Sequence, residues 1–206
     1  MRLEIGNSNM MYTQNERPFG RSWEEWTTRW WKWFLTISKE NHPAFDETGK
    51  NYTVGQNDFN VLFLAGTAGG YAKRTIPTTA STALLFPVVN HTISHAENPD
   101  LKTDQDLILF TKSHTNDIVK KELNIDGVNY EISEDHRVLS PPFDFSFPYN
   151  NVFGVKEGPT RGAGDGYWVF LKPLSVGHHN IRTFGSCMSG RIQIGLDLDL
   201  IVTANL

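Results

Sequence analysis

The sequence predicts a mainly β fold: an antiparallel β-sandwich or jelly roll carrying a tryptophan-rich N-terminal helix and one further helix. Three observations carry that expectation. Short apolar runs punctuated by Gly, Pro and Asn recur from Val61 to the C-terminal end. Several alternate apolar and polar residues with a period of two, the pattern of a half-buried strand. Strand-like runs do not alternate regularly with helices, so a doubly wound parallel sheet is not expected.

The elements follow in order. Residues 1–20 show no clear period and read as an arm or an irregular first strand. Ser22 and Glu25 then stand at capping-box spacing, where the hydroxyl accepts from the N3 amide and the carboxylate reaches back to the Ser22 amide. Trp23, Trp26, Trp30, Trp33, Phe34 and Ile37 recur at helical spacing on one stripe, which predicts a helix over about 23–37. Asn41, His42 and Pro43 end it. Val61–Gly66 and Ala83–Val89 are apolar runs, and 72–77 between them reads as a short strand. Pro87 interrupts the second run and implies a sheet edge or a bulge there, because proline has no N–H to give to a ladder. Thr103 caps a helix predicted to Ile118, with Leu107, Phe110, His114 and Ile118 on one face. Asp126–Gly127 is a two-residue hairpin signal. Residues 143–148 alternate, and 166–174 and 179–185 read as a second hairpin around Ser175–Val176–Gly177. In the final strand Ile192, Ile194, Leu196, Leu198 and Leu200 share a face, and Asp197 and Asp199 line the wet one. The chain reads as one domain over 1–206: an arm at 1–20, the Trp helix at 22–38, and a sandwich at 52–206 with its helix near 103–118.

Composition narrows the function classes. The chain has 206 residues, a formal net charge of −4 and 20% charged residues. A nucleic-acid binder needs a surplus of Lys and Arg facing phosphates, so no nucleic-acid partner is expected. No apolar stretch reaches the ~18 residues of a membrane span. The first twenty residues lack an apolar signal-peptide core, which predicts a cytoplasmic protein as written, or a secreted one if a leader has been removed. The single cysteine, Cys187, allows no intrachain disulfide and no thiolate cage.

The ordered series WEEWTTRWWKWF, NHPAFDETGKNYTVGQND, VLFLAGTAGG and LLFPVVN, with DGYWVFLKPLSVGHHNI toward the C-terminus, resembles a group of uncharacterised bacterial and archaeal proteins. These begin with a Trp-rich helix and continue through Asp-x-Thr-Gly, Phe-Leu-Ala-Gly-Thr and Phe-Pro motifs. The resemblance covers roughly 22–91 and 164–186. It implies a compact β-rich domain and assigns no activity and no catalytic residue.

Five of the six tryptophans fall between residues 23 and 33. Trp23, Trp26, Trp30 and Trp33 read as core anchors. Trp31 lies about 100° around the helix from Trp30, off the stripe, and is the candidate ligand-facing aromatic. His91 and His95 stand four apart, with Glu97 following. On a helix such imidazoles can share a metal, but the segment reads as a loop, so no metal or cofactor is assigned. Strand-end loops are where sites cluster. His91, His95 and Glu97 are therefore the first polar candidates. The glycine-rich 160–166 segment lacks the Gly-Lys-Ser/Thr of a phosphate loop, but Arg161 and Asp165 on it could close over a small molecule. The expected cleft is rimmed by 91–100 and 158–166, with Trp31 or Tyr167 as the apolar wall and His95, Glu97, Arg161 and Asp165 as polar contacts. Asp46–Gly49 and Gln56–Asp58 read as turns able to offer oxygens to a hydroxyl or a calcium ion.

Three functional readings stand at this point. The first is a β-sandwich that binds a small molecule or a carbohydrate. The second is a hydrolase or lyase using His95 with Glu97 or Asp165 as acid and base. The third is a self-assembling homo-oligomeric subunit whose Trp helix or edge strand meets another copy.

Overall fold

The computed structural model describes residues 10–58 and 60–204. The first nine residues of the expected arm lie outside them. Two sheets and two α-helices form the body, as the sequence predicts. The strands are β1 (Val61–Phe63), β2 (Gly70–Thr79), β3 (Ala83–Ser94), β4 (Lys120–Ile125), β5 (Val128–Tyr130), β6 (Arg137–Phe147), β7 (Gly158–Leu171), β8 (Gly177–Cys187) and β9 (Ile192–Thr203). One sheet runs β1-β3-β7-β6 and the other β2-β9-β8-β4-β5. Most neighbours are antiparallel, but β1 joins β3 and β2 joins β9 in parallel. Both parallel pairs place an early edge strand beside a strand met later in the chain.

The sandwich core lies between the sheets. Leu84, Phe86, Val169 and Leu171 from one meet Ile181, Leu198, Leu200 and Val202 from the other. The final strand buries Leu196, Leu198 and Leu200, as its alternation predicts, and Val202 continues their face, whereas Ile192 at its start is 45% exposed. Asp126 and Gly127 take left-handed φ values of 53° and 83° between β4 and β5, which matches the right-handed twist of a two-residue hairpin.

Helix α1 (Trp23–Leu35) covers the outer face of the four-stranded sheet. Its capping box is present in both directions: Ser22 Oγ accepts from Glu25 N–H and Glu25 accepts from Ser22 N–H at 2.6 Å. The helix ends two residues earlier than predicted, and short 3-10 turns at Lys39–Asn41 and Pro43–Phe45 carry the chain away. His42 ties these turns to the helix, with Nε2 2.8 Å from Phe34 O and Nδ1 accepting from Ala44 N–H. Helix α2 (Asp104–Asn116) starts at a Thr103–Asp106 capping box and packs Leu107 against Ile93 and Ala163, at the end of the sheet.

Two expectations are corrected. Residues 166–174 and 179–185 do not form a hairpin: β7 and β8 lie in different sheets, and the intervening residues, including Pro173, cross the sandwich. Alternation marks both runs as strands but cannot say whether they share a ladder. The segment 158–166 is the first part of β7 and not a loop. Its glycines lie inside a strand because neighbours approach the backbone closely. A β-carbon on Gly164 would collide with the Trp31 indole, and one on Gly166 with Asn90.

Within the arm, Met11 bridges Leu171, and Tyr12 N–H donates to Phe170 O at 2.9 Å. The arm thereby reaches the β7 end.

Candidate functional site

The site follows from a free strand edge. Strand β1 pairs with β3 only over Ala83–Leu85. Beyond that the edge of β3 opens, and Pro87 stands there beside a bulge at Val88, where the sequence predicts an edge or a bulge. His95 N–H donates to Arg161 O. By the two-residue alternation of an antiparallel ladder, His91 and Ile93 turn their main-chain groups toward β7, whereas Asn90 and Thr92 turn theirs outward. No strand pairs with that outward edge among the described residues.

A cleft of about 440 Å3 runs along it. Trp30, Trp31 and Phe34 of α1 form one wall, and Phe45 and Phe153 stand at the mouth, each 41% exposed. Residues 66–68 lie on the rim, and Thr183, Ile194 and Leu196 close the far side from the second sheet. Lys39, Asn90, His91 and Thr92 add polar groups. Sites of this volume, mostly apolar with a few polar groups, are the usual form of small-molecule pockets.

The tryptophans of α1 differ in one respect. All five are buried. The indole N–H of Trp23 donates to Thr13 O, that of Trp26 to Pro18 O, that of Trp30 to Leu64 O and that of Trp33 to Val54 O. Trp31 Nε1 is buried and has no acceptor among the described residues. Asn90 Nδ2 and His91 Nδ1 share that condition, and all three residues line the cleft. Thr28 Oγ1, Thr115 Oγ1 and Trp168 Nε1 are likewise buried without partners and lie outside the cleft lining, and Trp31 Nε1 faces Gly164 of β7. The His91 ring stacks on His114 of α2 at 4.5 Å between centroids. Burial, helped by the neighbouring His114, holds its pKa down at about 4, so it is neutral near pH 7.

Of the residues singled out from sequence, only Trp31 and His91 line this cleft. His91 lies in strand β3 and not in a loop. His95 and Glu97 follow in the turn after β3: His95 Nδ1 lies 2.7 Å from Leu101 O, and Glu97 accepts from Ser94 Oγ at 2.7 Å. Burial pushes the Glu97 carboxyl up to about 7, against the Ser94 hydrogen bonds. Asp165 is wholly buried and accepts from Arg137 through Nη2 at 2.6 Å and Nε at 3.1 Å. Arg161 donates to Asp104 and Asp144 on the surface, and these bonds raise its pKa. Tyr167 belongs to the inter-sheet core, with its hydroxyl donating to Glu134 and its pKa raised to about 12, chiefly by burial. The expected rim of 91–100 and 158–166 is thus replaced by the β3 edge, because 158–166 is spent on the sheet ladder.

The turns offered for oxygen ligation have structural duties. Asp46 accepts from the amides of Thr48 and Asn51. The Gln56 side chain accepts from Phe63 N–H and donates to Phe63 O, and Asp58 pairs with Arg29. No group of three or more His, Cys, Asp or Glu side chains able to hold a metal ion occurs among the described residues. Phe34, Lys39, Phe45, Asn90 and Phe153 were not anticipated. The signal that bore on them was Pro87, read as an edge or a bulge.

Comparison with protein-family models, curated proteins and solved structures returns no match. Among the described residues no helix is long and apolar enough to cross a membrane.

Proposed function

We propose that this protein is a binding protein, and that the cleft along the β3 edge holds a small organic molecule against the Trp30–Trp31–Phe34 wall. One observation carries the reading: a hollow of about 440 Å3, lined mostly by apolar and aromatic side chains, lies along a length of the β3 edge that no strand pairs among the described residues, where the main-chain groups of Asn90 and Thr92 turn outward. The aromatic wall, with the Trp31 ring at 86° to Trp30, suits an apolar body such as an aromatic ring or the apolar face of a sugar.

The acid–base reading is less well supported. Its groups His95, Glu97 and Asp165 lie outside the cleft lining, and each is engaged by a protein partner. General acid–base work needs such a group within hydrogen-bond reach of the reacting atom.

The test is a fragment screen by protein NMR, using aromatic small molecules and mono- and disaccharides, read at the tryptophan indole N–H resonances. A saturable shift of the Trp31 resonance is expected, abolished in Ala68→Trp, which fills the rim from an exposed position. If every ligand found binds Ala68→Trp as well as the parent, the cleft is not the site.

A further inference from the structure

The open length of β3 is a ladder with marked ends, and it names the class of ligand that the binding reading above, on which this step rests, leaves open. Strand β1 and the Leu64 amide fill the same edge as far as Leu85. Pro87, the next residue to turn outward, has no N–H to give. At the far end the Ser94 carbonyl already accepts from the amides of Glu97 and Asn98. Between these ends Asn90 and Thr92 turn two N–H and two C=O groups outward. Among the described residues no main-chain hydrogen bond outside the β7 ladder engages either residue. Their like groups stand about 6.8 Å apart, the two-residue repeat of a strand. A peptide backbone repeats N–H and C=O at that interval and can pair with both residues at once.

The walls continue this geometry. A strand added about 4.8 Å from β3 lies in the plane of the four-stranded sheet. The cleft lies there, with Trp30, Trp31 and Phe34 of α1 on one side and Thr183, Ile194 and Leu196 of the second sheet on the other. Successive side chains of an added strand would alternate between these two walls.

The other sheet edges are guarded by their own residues. Strand β6 bulges at Pro141 and Pro142, β2 carries Pro77 and the exposed Lys73, and β5 is three residues long. The open β3 edge is guarded by its walls. A second copy does not fit between them: a stable dimer draws on the order of 800 Å2 from each partner, and a slot with a layer on either side admits a single strand. Residues 66–68 cross the rim, so the occupant is short.

We propose that the cleft takes a short free peptide in extended conformation, paired through its main chain with Asn90 and Thr92 and resting apolar side chains on the α1 wall. Main-chain bonds supply affinity, and the two walls select side chains. The inserted residues are uncharged, because the lining holds no Asp or Glu and its one lysine, Lys39, stands exposed.

The probe is acetyl-Val-Phe-Val-amide, titrated into the full chain and followed by NMR at the Asn90 and Thr92 backbone amides. At saturation these amides are expected to exchange with solvent at least about tenfold more slowly. Two analogues carry N-methyl groups, one on both valines and the other on the phenylalanine. A strand turns only alternate amides toward one neighbour. One analogue should therefore bind at least about tenfold more weakly than the parent and the other about as well. Ala68→Trp should abolish binding of the parent peptide. Unprotected Asn90 and Thr92 amides overturn the proposal, as do equal affinities of the three peptides or an equal loss in both analogues. Binding that survives in Ala68→Trp overturns it as well. Protection of the two amides that rises with protein concentration in the absence of peptide overturns it in favour of a second copy. Aromatic fragments that bind the parent protein and not Ala68→Trp would still uphold the cleft, so the binding reading is decided separately.

Discussion

The Trp31 indole occupies the space that a side chain at position 164 would need: a β-carbon on Gly164 would stand 2.7 Å from Trp31 Cε2 and 2.8 Å from Cδ1. Helix α1 therefore sits at a distance from β7 set by a missing methyl group, and the same indole lines the cleft. Real β-carbons do not approach so closely, so a side chain there must push the helix outward.

Gly164→Ala should cost about 1–3 kcal/mol of stability through this overpacking. In a Trp31→Ala background the same change should cost little, since the two residues compete for one volume, and the difference is a coupling term. Urea unfolding of the four proteins measures both. Additive effects would show that the indole is free to move aside.

Arg137→Met should destabilise by roughly 3 kcal/mol, the low end for breaking a buried pair, because Arg137 is itself 21% exposed. The cause is the wholly buried Asp165 carboxylate that it would strand. Pairing the change with Asp165→Leu should recover most of the loss, since two apolar groups need no compensation. A double variant as unstable as the single one would mean that the pair contributes through geometry and not through charge.

Two buried groups give stability opposite pH slopes. His42 is buried, its Nδ1 accepts from Ala44 N–H, and burial lowers its pKa to about 4, with the nearby Arg74 also disfavouring protonation. Over the range from about 6.5 down to 4 the unfolded chain binds the proton first. The contribution of His42 is therefore full above about 6.5 and lost on acidification. His91 acts with the same sign. Glu97 runs the other way: its carboxyl is raised to about 7, so its contribution is full below the unfolded value and is lost as pH rises through 7. His42→Gln should remove the loss on acidification from 6.5 to about 4, and Glu97→Gln the loss on raising the pH from 4.5 to about 7. Unfolding free energies measured across that range check each slope. A wild-type slope left unchanged in Glu97→Gln would dismiss the buried-carboxyl assignment.

Much of this architecture was legible locally. The α1 capping box, the Thr103 cap, the Asp126–Gly127 turn and the phase of the last strand all appear as read. Each depends on residues within a turn or two of one another, so short-range spacing carries the information. The false hairpin at Ser175 marks the boundary. Both flanking runs are strands, but sheet membership depends on partners far away in sequence, such as β3 for β7 and β9 for β8.

The candidate site shows the same division. The chain alone identified a tryptophan displaced from its helix stripe, a histidine after a broken apolar run, and a proline that exposes an edge: Trp31, His91 and Pro87. Periodicity and the missing proline N–H are properties of single segments, so they survive without coordinates. Folding then selected Asn90, Phe34, Lys39 and Phe153 as their companions and removed Asp165, Arg161 and Tyr167 to other duties. Which side chains share a hollow depends on how β1 stops short, where β3 bulges and how far α1 stands from β7. Those are packing distances between segments remote in sequence, and no local pattern encodes them.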